Sequence, residues 1–272
     1  MYDVSLVRKK RRRRIMALVS FISAIGLASL VMISFLGRNV GAYTISITNS
    51  SVKLALSQKS DFVHQSSYIR IEGIKQFEEN TYRALPPDSI LDNEDTPFDY
   101  GMVGDVSNSR YSFFKCTYYV KNVGNITANY TMDVYIGKMN KANDGSERRL
   151  DDTVRIMVYE NDPREDTHHK RIFANAAYEN NVDRDGRFTS REFVSVAGPN
   201  NQESDEFPLA ETFFSSSIAA RYKVEGFAKG DMLRYTVVMW LEGEDPQARG
   251  GSVPEGASIE FGVRISAGEF EY

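Results

Sequence analysis

The chain has 272 residues, of which 42% are hydrophobic and 26% are charged, and its formal net charge is −4. Eight of its 33 basic residues but only one of its 37 acidic residues lie in the first 42 positions, so the remainder holds 25 basic and 36 acidic residues. A domain this acidic repels phosphate backbones, and we expect no nucleic-acid partner. The single cysteine, Cys116, excludes an intramolecular disulfide.

The N-terminal region combines a basic cluster, Arg8–Arg14, with an uncharged apolar stretch, Ile15–Leu36. As a helix at 1.5 Å rise per residue, this stretch spans roughly 33 Å, enough for a hydrocarbon core of about 30 Å. The positive-inside rule then predicts a single-pass plasma-membrane protein with a cytoplasmic tail at 1–14, a transmembrane signal anchor at 15–36 and an extracellular domain at 37–272. The basic cluster would contact anionic lipids of the inner leaflet.

Cleavage of this segment as a signal peptide is the alternative. Val40-Gly41-Ala42 has small or permitted residues at the positions that a signal peptidase recognises, and Tyr43 would become the new N-terminus. The apolar stretch is longer than the usual 7–15 residues of a secretory signal, which favours a retained anchor.

Alternating apolar and polar residues predict strands from the start of the outer domain. Tyr43–Thr48 and Val52–Ser57 flank an Asn-Ser-Ser turn and form either a hairpin or two strands joined by a turn. Tyr68–Ile74 is a further candidate strand. Proline, glycine and polar residues predict long surface loops near 86–108, 138–152 and 162–210.

The strongest strand signals lie between Tyr111 and Ile136. Ser112–Lys121 and Ala128–Ile136 are separated by Asn122–Asn125, whose Asn and Gly residues favour a hairpin turn. Helical patterns are confined to Ala210–Ser215 and part of Lys170–Tyr178. Further alternating segments are Thr153–Tyr159, Ile218–Val224, Leu233–Leu241 and Ile259–Ile265. Many short strands with turns between them predict a mainly β fold, an antiparallel β-sandwich of jelly-roll or immunoglobulin-like type.

Residues 181–192 have the spacing of an EF-hand calcium loop, with oxygen-bearing ligands at fixed positions and Gly186 at the sharp turn. Asparagine at the first position removes one negative charge that calcium would use. The alternative is a β-hairpin with a tight turn at Asp185-Gly186. The candidate ligands are Asn181, Asp183, Asp185, Arg187 through its carbonyl oxygen, Thr189 and Glu192.

Other residues with reactive side chains favour structural roles. Cys116 lies among Phe and Tyr residues, which predicts a buried small hydrophobe rather than a nucleophile. His168 and His169 would point to opposite faces of a strand, so we expect a solvated polar loop rather than a transition-metal site. Glycoside hydrolases use two carboxylates, which the acidic pair Asp151-Asp152 could in principle supply. The chain has 37 acidic residues, so the presence of such a pair is weak evidence for a hydrolase.

The aromatic residues between Tyr111 and Tyr119 favour core packing over a carbohydrate-stacking face, because Tyr and Phe are common in strands. The chain contains no nucleophile elbow, phosphate-binding loop or dinucleotide fingerprint. We therefore predict no catalytic residues and no cofactor apart from the candidate calcium.

The chain resembles bacterial cell-surface sandwich proteins of the camelysin and biofilm-matrix-fibre type. The resemblance lies in the basic head, the single apolar helix, the strand that follows it and the cysteine-poor β domain with the turn Lys121–Asn125. Tyr235–Gly243 is also similar to the last strands of surface proteins of Gram-positive bacteria. The resemblance implies surface display or matrix assembly, and it carries over no proteolytic residues because a His-Glu-x-x-His motif is absent.

Together these features predict a non-enzymatic, membrane-anchored cell-surface or matrix protein whose outer domain mediates display, adhesion or assembly. Its expected partners are the membrane and other surface or matrix proteins or copies of itself. Two alternatives stay open: an extracellular hydrolase acting on cell-wall or matrix polymer, and a secreted, signal-cleaved fibre subunit.

Overall fold

A computed structural model describes residues 43–48, 53–71, 79–93, 112–141, 149–165, 167–175, 193–197, 207–245 and 257–267. The predicted cytoplasmic tail and transmembrane helix lie outside these residues. Within the described part of the chain, no helix is long and apolar enough to cross a bilayer. Residues 40–272 form a compact unit of their own.

Strands dominate the described residues, which confirms the predicted mainly β class. The short helices are α1 (Asp88–Leu91) and two 3-10 turns, Tyr82–Ala84 and Leu150–Asp152. The strands are β1 (Tyr43–Thr48), β2 (Leu54–Ser57), β3 (Tyr68–Ile71), β4 (Phe114–Asn122), β5 (Ala128–Asn140), β6 (Val154–Asp162), β7 (Thr167–Ala174), β8 (Phe193–Ser195), β9 (Leu209–Thr212), β10 (Ile218–Phe227), β11 (Met232–Leu241) and β12 (Ser258–Ala267).

The strands form two sheets. Sheet A has the order β10-β5-β12-β1-β3, and sheet B has the order β2-β4-β11-β6-β7-β9-β8. Neighbouring strands are antiparallel except for two pairs, β1 with β12 and β7 with β9. The antiparallel character that the sequence predicts is therefore confirmed for most of both sheets.

One hydrophobic core joins the two sheets. Because side chains alternate across a strand, every second residue of each long strand points to the same side. On β5 these residues include Met132 and Val134, and on β11 they include Tyr235 and Val237, all with 0% exposure. Burying each such side chain contributes about 1.5–3 kcal/mol, so this shared core is the main source of stability.

The outer side of sheet B carries a second apolar cluster. Met157 of β6 and Trp240 of β11 pack there with Phe113 and with Leu91 of α1. The segment 79–93 thus covers this face of the sheet. Both faces of β11 are buried along most of the strand, so this strand tolerates a nearly continuous apolar run.

Polar contacts fix the segment 79–93 to sheet B. The ammonium of Lys170 and the hydroxyl of Tyr159 both donate to the carboxylate of Asp88, at 2.8 and 2.7 Å. The buried ammonium of Lys115 donates to the carbonyl oxygens of Ile90 and Asn93. Sequence analysis placed residues 86–108 in a surface loop, whereas residues 88–91 form α1 because these contacts and the burial of Leu91 order them.

The strands β1 and β2 lie in different sheets, which excludes a hairpin between them and agrees with the alternative of two strands joined by a turn. The hairpin predicted from β4 to β5 is wrong. The strands β4 and β5 also lie in different sheets, and the residues 123–127 form an arch between them. Asn122 explains the arch, because its side-chain oxygen accepts the N–H of Gly124 while its amide donates to the carbonyl oxygens of Ile126 and Phe227.

The two predicted helices are also wrong. Residues 209–212 form β9, and residues 167–174 form β7, which pairs with β6 over its whole length. Strand pairing with β6 and β7 overrides the weak local helical preference of both segments. The strands β7 and β8 and the first two residues of β9 lie within the range 162–210, where the sequence predicts a long loop. The strand β5 extends to Asn140, into the second predicted loop.

Candidate functional site

The predicted calcium ligands Asn181, Asp183, Asp185, Arg187, Thr189 and Glu192 lie outside the described residues, so the calcium site stays a prediction. Where the structure describes the chain, no three His, Cys, Asp or Glu residues come together in a group that could hold a metal ion.

Cys116 is a fully buried residue of β4, as the sequence predicts. Burial raises the pKa of its thiol well above the ordinary value, which keeps it in the unreactive, protonated form.

His168 and His169 lie on β7, so the predicted polar loop at these residues is wrong. Both side chains are exposed. As neighbours on a strand they point to opposite faces, which prevents them from binding one ion together. The ring nitrogen Nδ1 of His168 is hydrogen-bonded to the side-chain oxygen of Asn161.

The aromatic residues near Cys116 pack in the protein interior, which confirms the core interpretation for those that are described. Tyr118 lies between the sheets, and Phe113 lies in the cluster outside sheet B. Tyr119 is 4% exposed and contacts the ring of Phe62 edge-on at 6.4 Å between centroids. Tyr111 lies outside the described residues.

The acidic pair Asp151-Asp152 belongs to a network of contacts within the chain. The carboxylate of Asp151 is paired with Arg149 and accepts a hydrogen bond of 3.1 Å from the amide of Asn175. Burial and the neighbouring Asp151 raise the pKa of Asp152 to about 6. These contacts are structural.

A group of tyrosines with Glu160 lies inside the shared core, and the sequence analysis missed it. The hydroxyl of Tyr235 donates to Glu160 at 3.2 Å and lies 3.1 Å from the hydroxyl of Tyr130. Within the described part of the chain, the buried hydroxyl of Tyr118 has no hydrogen-bond partner. Burial raises the pKa of the Glu160 carboxyl. The sequence places a tyrosine, Tyr118, Tyr130, Tyr222 or Tyr235, at an inward position of each of four strands. Only the pairing of those strands brings the four side chains together.

The outer side of sheet A carries a different kind of surface. We define the sheet A face as the outward residues of its three adjacent strands, β10, β5 and β12. Cross-strand partners share a face, so the register sets these residues in rows. One row is Arg221, Asp133 and Arg264, and the next is Lys223, Thr131 and Ser266. Tyr135 and its cross-strand partner Gly262 lie on the other side of the first row.

Asp133 is the centre of this face. Its carboxylate accepts hydrogen bonds from Arg221 at 2.6 and 2.9 Å and from Arg264 at 2.9 Å. The Asp133 side chain is only 4% exposed, whereas those of Arg221 and Arg264 are 25% and 42% exposed. The two guanidinium groups therefore screen the carboxylate from solvent and leave a net positive charge on the surface.

The aromatic ring of Tyr135 lies across Gly262. A Cβ at Gly262 would meet the ring at 2.4 Å, closer than any real contact, so only glycine lets the ring lie there. The guanidinium of Arg264 lies 5.8 Å from the centroid of this ring, and that of Arg221 lies 4.4 Å from the ring of Phe214. Aromatic neighbours thus hold both arginines in place on the face.

The described residues with large exposed apolar side chains are Val63, Val123 and Ile126. Val123 and Ile126 lie on the arch between β4 and β5. Val63 follows Phe62, whose ring lies under the ammonium of Lys121, just before the arch. The exposed apolar side chains are therefore confined to two neighbouring loops.

Comparisons with known protein families, with curated proteins and with solved structures found no match.

Proposed function

We propose that the chain is a non-enzymatic, membrane-anchored protein of the cell surface or matrix, and that its outer domain is a β-sandwich that mediates adhesion, display or assembly. Two antiparallel-rich sheets with one shared core support the sandwich architecture. The apolar stretch at 15–36, preceded by seven basic residues, supports the anchor and its orientation.

The observation that carries the proposal is the difference between the two outer faces. The segment 79–93 covers the apolar outer cluster of sheet B, with Leu91 buried among Met157, Val238 and Trp240. The sheet A face instead presents basic and acidic side chains, hydroxyl groups and one tyrosine ring. A broad face of this composition suits contact with a polar partner, as adhesion requires.

The test of location is protease treatment of intact cells that express the full chain. With an external outer domain, the protease removes nearly all of the mass and leaves a fragment of a few kilodaltons. Protection of the C-terminal part in intact cells, with digestion only after lysis, would contradict the proposed topology. N-terminal sequencing that starts at Tyr43 would instead show a cleaved, released protein.

The alternative function is a hydrolase that acts on cell-wall or matrix polymer, and it would use carboxylates as its catalytic groups. Asp152 has a raised pKa of about 6, in the range of a general acid. Turnover of peptidoglycan or glycans by the purified chain, abolished by Asp152→Asn and not by Asp61→Asn, would favour the hydrolase over the adhesion module.

The second alternative function is a fibre subunit, and it depends on whether β1 pairs within its own chain or with another copy. This strand pairs in parallel with β12 and antiparallel with β3, so it lies inside sheet A rather than at an edge. We expect a chain closed in this way to associate weakly. Long filaments formed by the outer domain starting at Tyr43 would favour a matrix fibre, in which strands are added across copies.

A further inference from the structure

We propose that the sheet A face binds a neutral, β-linked polysaccharide through Tyr135, Glu260 and Arg264, an inference that rests on the proposed adhesion function and names its partner class. These three side chains lie on the outer side of β5 and β12. Along β12 they follow the order carboxylate, aromatic ring and guanidinium, because the ring of Tyr135 lies across Gly262, between Glu260 and Arg264. This linear arrangement is the observation that carries the proposal.

Two glycines place the ring and the carboxylate next to each other. Tyr135 of β5 reaches across Gly262 of β12, where a Cβ would collide with its ring. Glu260 of β12 reaches in the opposite direction across Gly137 of β5, where a Cβ would lie 3.7 Å from the Glu260 Oε2. The ring and the carboxylate therefore lie close to the backbone of the sheet, since glycine has no side chain to lift them.

The strand pairing is irregular on both sides of Tyr135. The register of β10 against β5 shifts between Ile218, the partner of Tyr135, and Ala220. The register of β12 against β5 shifts at Glu260, between its two neighbours in the chain. Bulges twist a sheet locally and redirect side chains, and they are frequent next to active sites. Both irregularities lie at the level of the ring and the carboxylate, whereas residues 130–134 of β5 pair regularly on both sides.

The charges of this face do not favour a charged partner. Its outward residues include the acidic Asp133, Glu225 and Glu260 as well as the basic Arg221 and Arg264. Because charges of both signs lie together on the face, a polyanion gains little electrostatic attraction there. An uncharged ligand that offers both donors and acceptors is the better match.

The polar groups beside the ring have unused hydrogen-bonding capacity. In the part of the chain that the structure describes, the Glu260 carboxylate and the Tyr135 hydroxyl have no hydrogen-bond partner. Arg264 binds Asp133 through Nη2, which leaves its Nε and Nη1 without a partner among the described residues. Sugar hydroxyls both donate and accept, so Glu260 accepts from one hydroxyl while Arg264 donates to another.

The ring of Tyr135 supplies the apolar contact of the site. It is half-buried and is held in one orientation across Gly262, with the Arg264 guanidinium 5.8 Å from its centroid. A flat aromatic ring stacks on the C–H groups of a pyranose. The apolar side of a pyranose is flat when its substituents are equatorial, as they are along a β-linked glucan. The ring therefore favours a β-linked polymer.

The site is elongated, as a polymer requires. Glu260, Gly262 and Arg264 are successive outward residues of β12, so the carboxylate and the guanidinium start about 13 Å apart on the backbone. This length accommodates a few sugar units, and the carboxylate, the ring and the guanidinium contact different units. The separate weak contacts then add up along the chain.

The experiment measures binding of cellohexaose and chitohexaose, two neutral β-linked oligosaccharides, to the full-length chain by calorimetry. The chain is kept in a polyoxyethylene detergent, which carries no sugar. We expect binding with an affinity that changes less than about twofold between low and high salt, because the ligand is uncharged.

Replacing the ring tests the stacking contact. Tyr135→Ala should lower the affinity at least about tenfold, whereas Tyr135→Phe keeps the ring and should lower it less than about threefold. Phe62→Ala is the matched control, because it removes another half-buried ring, on a loop over sheet B. Its affinity should change less than about twofold. Equal losses in Tyr135→Ala and Phe62→Ala would overturn the proposal.

Glu260→Gln separates binding from folding, because the Glu260 carboxylate makes no hydrogen bond within the described residues. This variant should melt at the temperature of the natural chain and bind about threefold more weakly. Glu225→Gln is its control, since it removes the same charge from an exposed side chain roughly 20 Å further along the face. Its affinity should equal that of the natural chain. An unchanged affinity in Glu260→Gln, or no binding of either oligosaccharide by the natural chain, would overturn the proposal.

Two further arms identify the partner class and separate this proposal from the proposed function. Tighter binding to polygalacturonate would overturn the assignment to a neutral polymer, and equally tight binding to α-linked dextran would overturn the assignment to a β-linked one. The cell-surface location is tested by protease treatment of cells, which does not depend on this binding. Loss of either result therefore leaves the other interpretable.

Discussion

The side-chain amide of Asn122 donates a hydrogen bond of 2.8 Å to the carbonyl oxygen of Phe227, across 105 positions of the chain. Asn122 ends β4 in sheet B, and Phe227 ends β10 in sheet A, so this buried contact joins the two sheets. The same side chain also bonds Gly124 and Ile126. One residue thus fixes both the arch and the position of the neighbouring sheet.

Replacing Asn122 with alanine should destabilise the β domain by about 2–4 kcal/mol, because two buried backbone groups and one partly buried group lose their partner. Urea unfolding of residues 40–272 measures the change. Asn125→Ala is the matched control, since Asn125 is exposed on the same arch, and we expect a loss of less than about 0.5 kcal/mol. Equal losses would show that Asn122 does not hold the arch.

Gly262→Ala should destabilise the domain by about 1–2 kcal/mol, because the new Cβ displaces the ring of Tyr135. Gly137→Ala is the control on β5, where the nearest atom would lie at 3.5 Å, an ordinary contact. Thermal melting compares the two variants. In the double variant Tyr135→Ala/Gly262→Ala the glycine substitution should cost much less, and an unchanged cost would exclude the ring as its cause.

Asp152 should make stability depend on pH in the window from about 4 to 6. Burial and the negative charge of Asp151 raise its pKa to about 6 from the ordinary 3.8. The folded state therefore holds a proton that the unfolded state loses, so this group favours folding below pH 4 and opposes it as the pH rises through 6.

The variant Asp152→Asn should consequently be more stable than the natural chain at pH 7.5, by about 1 kcal/mol. The rise of this pKa from 3.8 to about 6 corresponds to roughly 3 kcal/mol, and partial exposure of Asp152 reduces the effect through solvent screening. The advantage should shrink at pH 4. Asp151→Asn serves as the control, since it breaks the contact with Arg149 and should destabilise at pH 7.5. A stabilisation by Asp152→Asn that is equal at both pH values would contradict the assignment.

Glu242 should hold the segment 79–93 against sheet B. Its carboxylate oxygen Oε2 accepts hydrogen bonds from the indole of Trp240 at 2.8 Å and from the backbone N–H of Tyr82 at 3.0 Å. Trp240 is the only tryptophan and is fully buried, so its fluorescence reports on this region. We expect Glu242→Ala to shift the emission to longer wavelength and to speed hydrogen exchange at Tyr82.

The neighbouring Glu244→Ala is the control for this measurement, because the Glu244 side chain lies outside the contact between Trp240 and Tyr82. Its emission should match that of the natural chain. An unshifted spectrum for Glu242→Ala would show that apolar packing alone holds the segment.

The alternation of side chains predicted most of the long strands, including those that became β6, β10, β11 and β12. Their pattern is local, since every second residue faces the shared core. The assignment of strands to sheets was not predictable, because it depends on contacts such as that between Asn122 and Phe227. The four-residue strand β9 has no alternating pattern that would predict a strand, and it forms through pairing with β7 and β8.

The sheet A face was not predictable for the same reason. Asp133, Arg221 and Arg264 are 43 or more positions apart in the chain, and only the register of three strands makes them neighbours. The buried structural role of Cys116 was predictable, because Phe114, Tyr118 and Val120 alternate with polar residues along the same strand and are aromatic or apolar. The calcium site at 181–192 stays a prediction from loop spacing alone.

The most direct test of the central claim is labelling of intact cells with a membrane-impermeant maleimide. Cys116 is 0% exposed and should not react, whereas Lys59→Cys places a thiol on an exposed loop of the outer domain. If the outer domain is extracellular, the Lys59→Cys chain is labelled on intact cells and the natural chain is not. Labelling of the Lys59→Cys chain only after lysis would contradict the surface location.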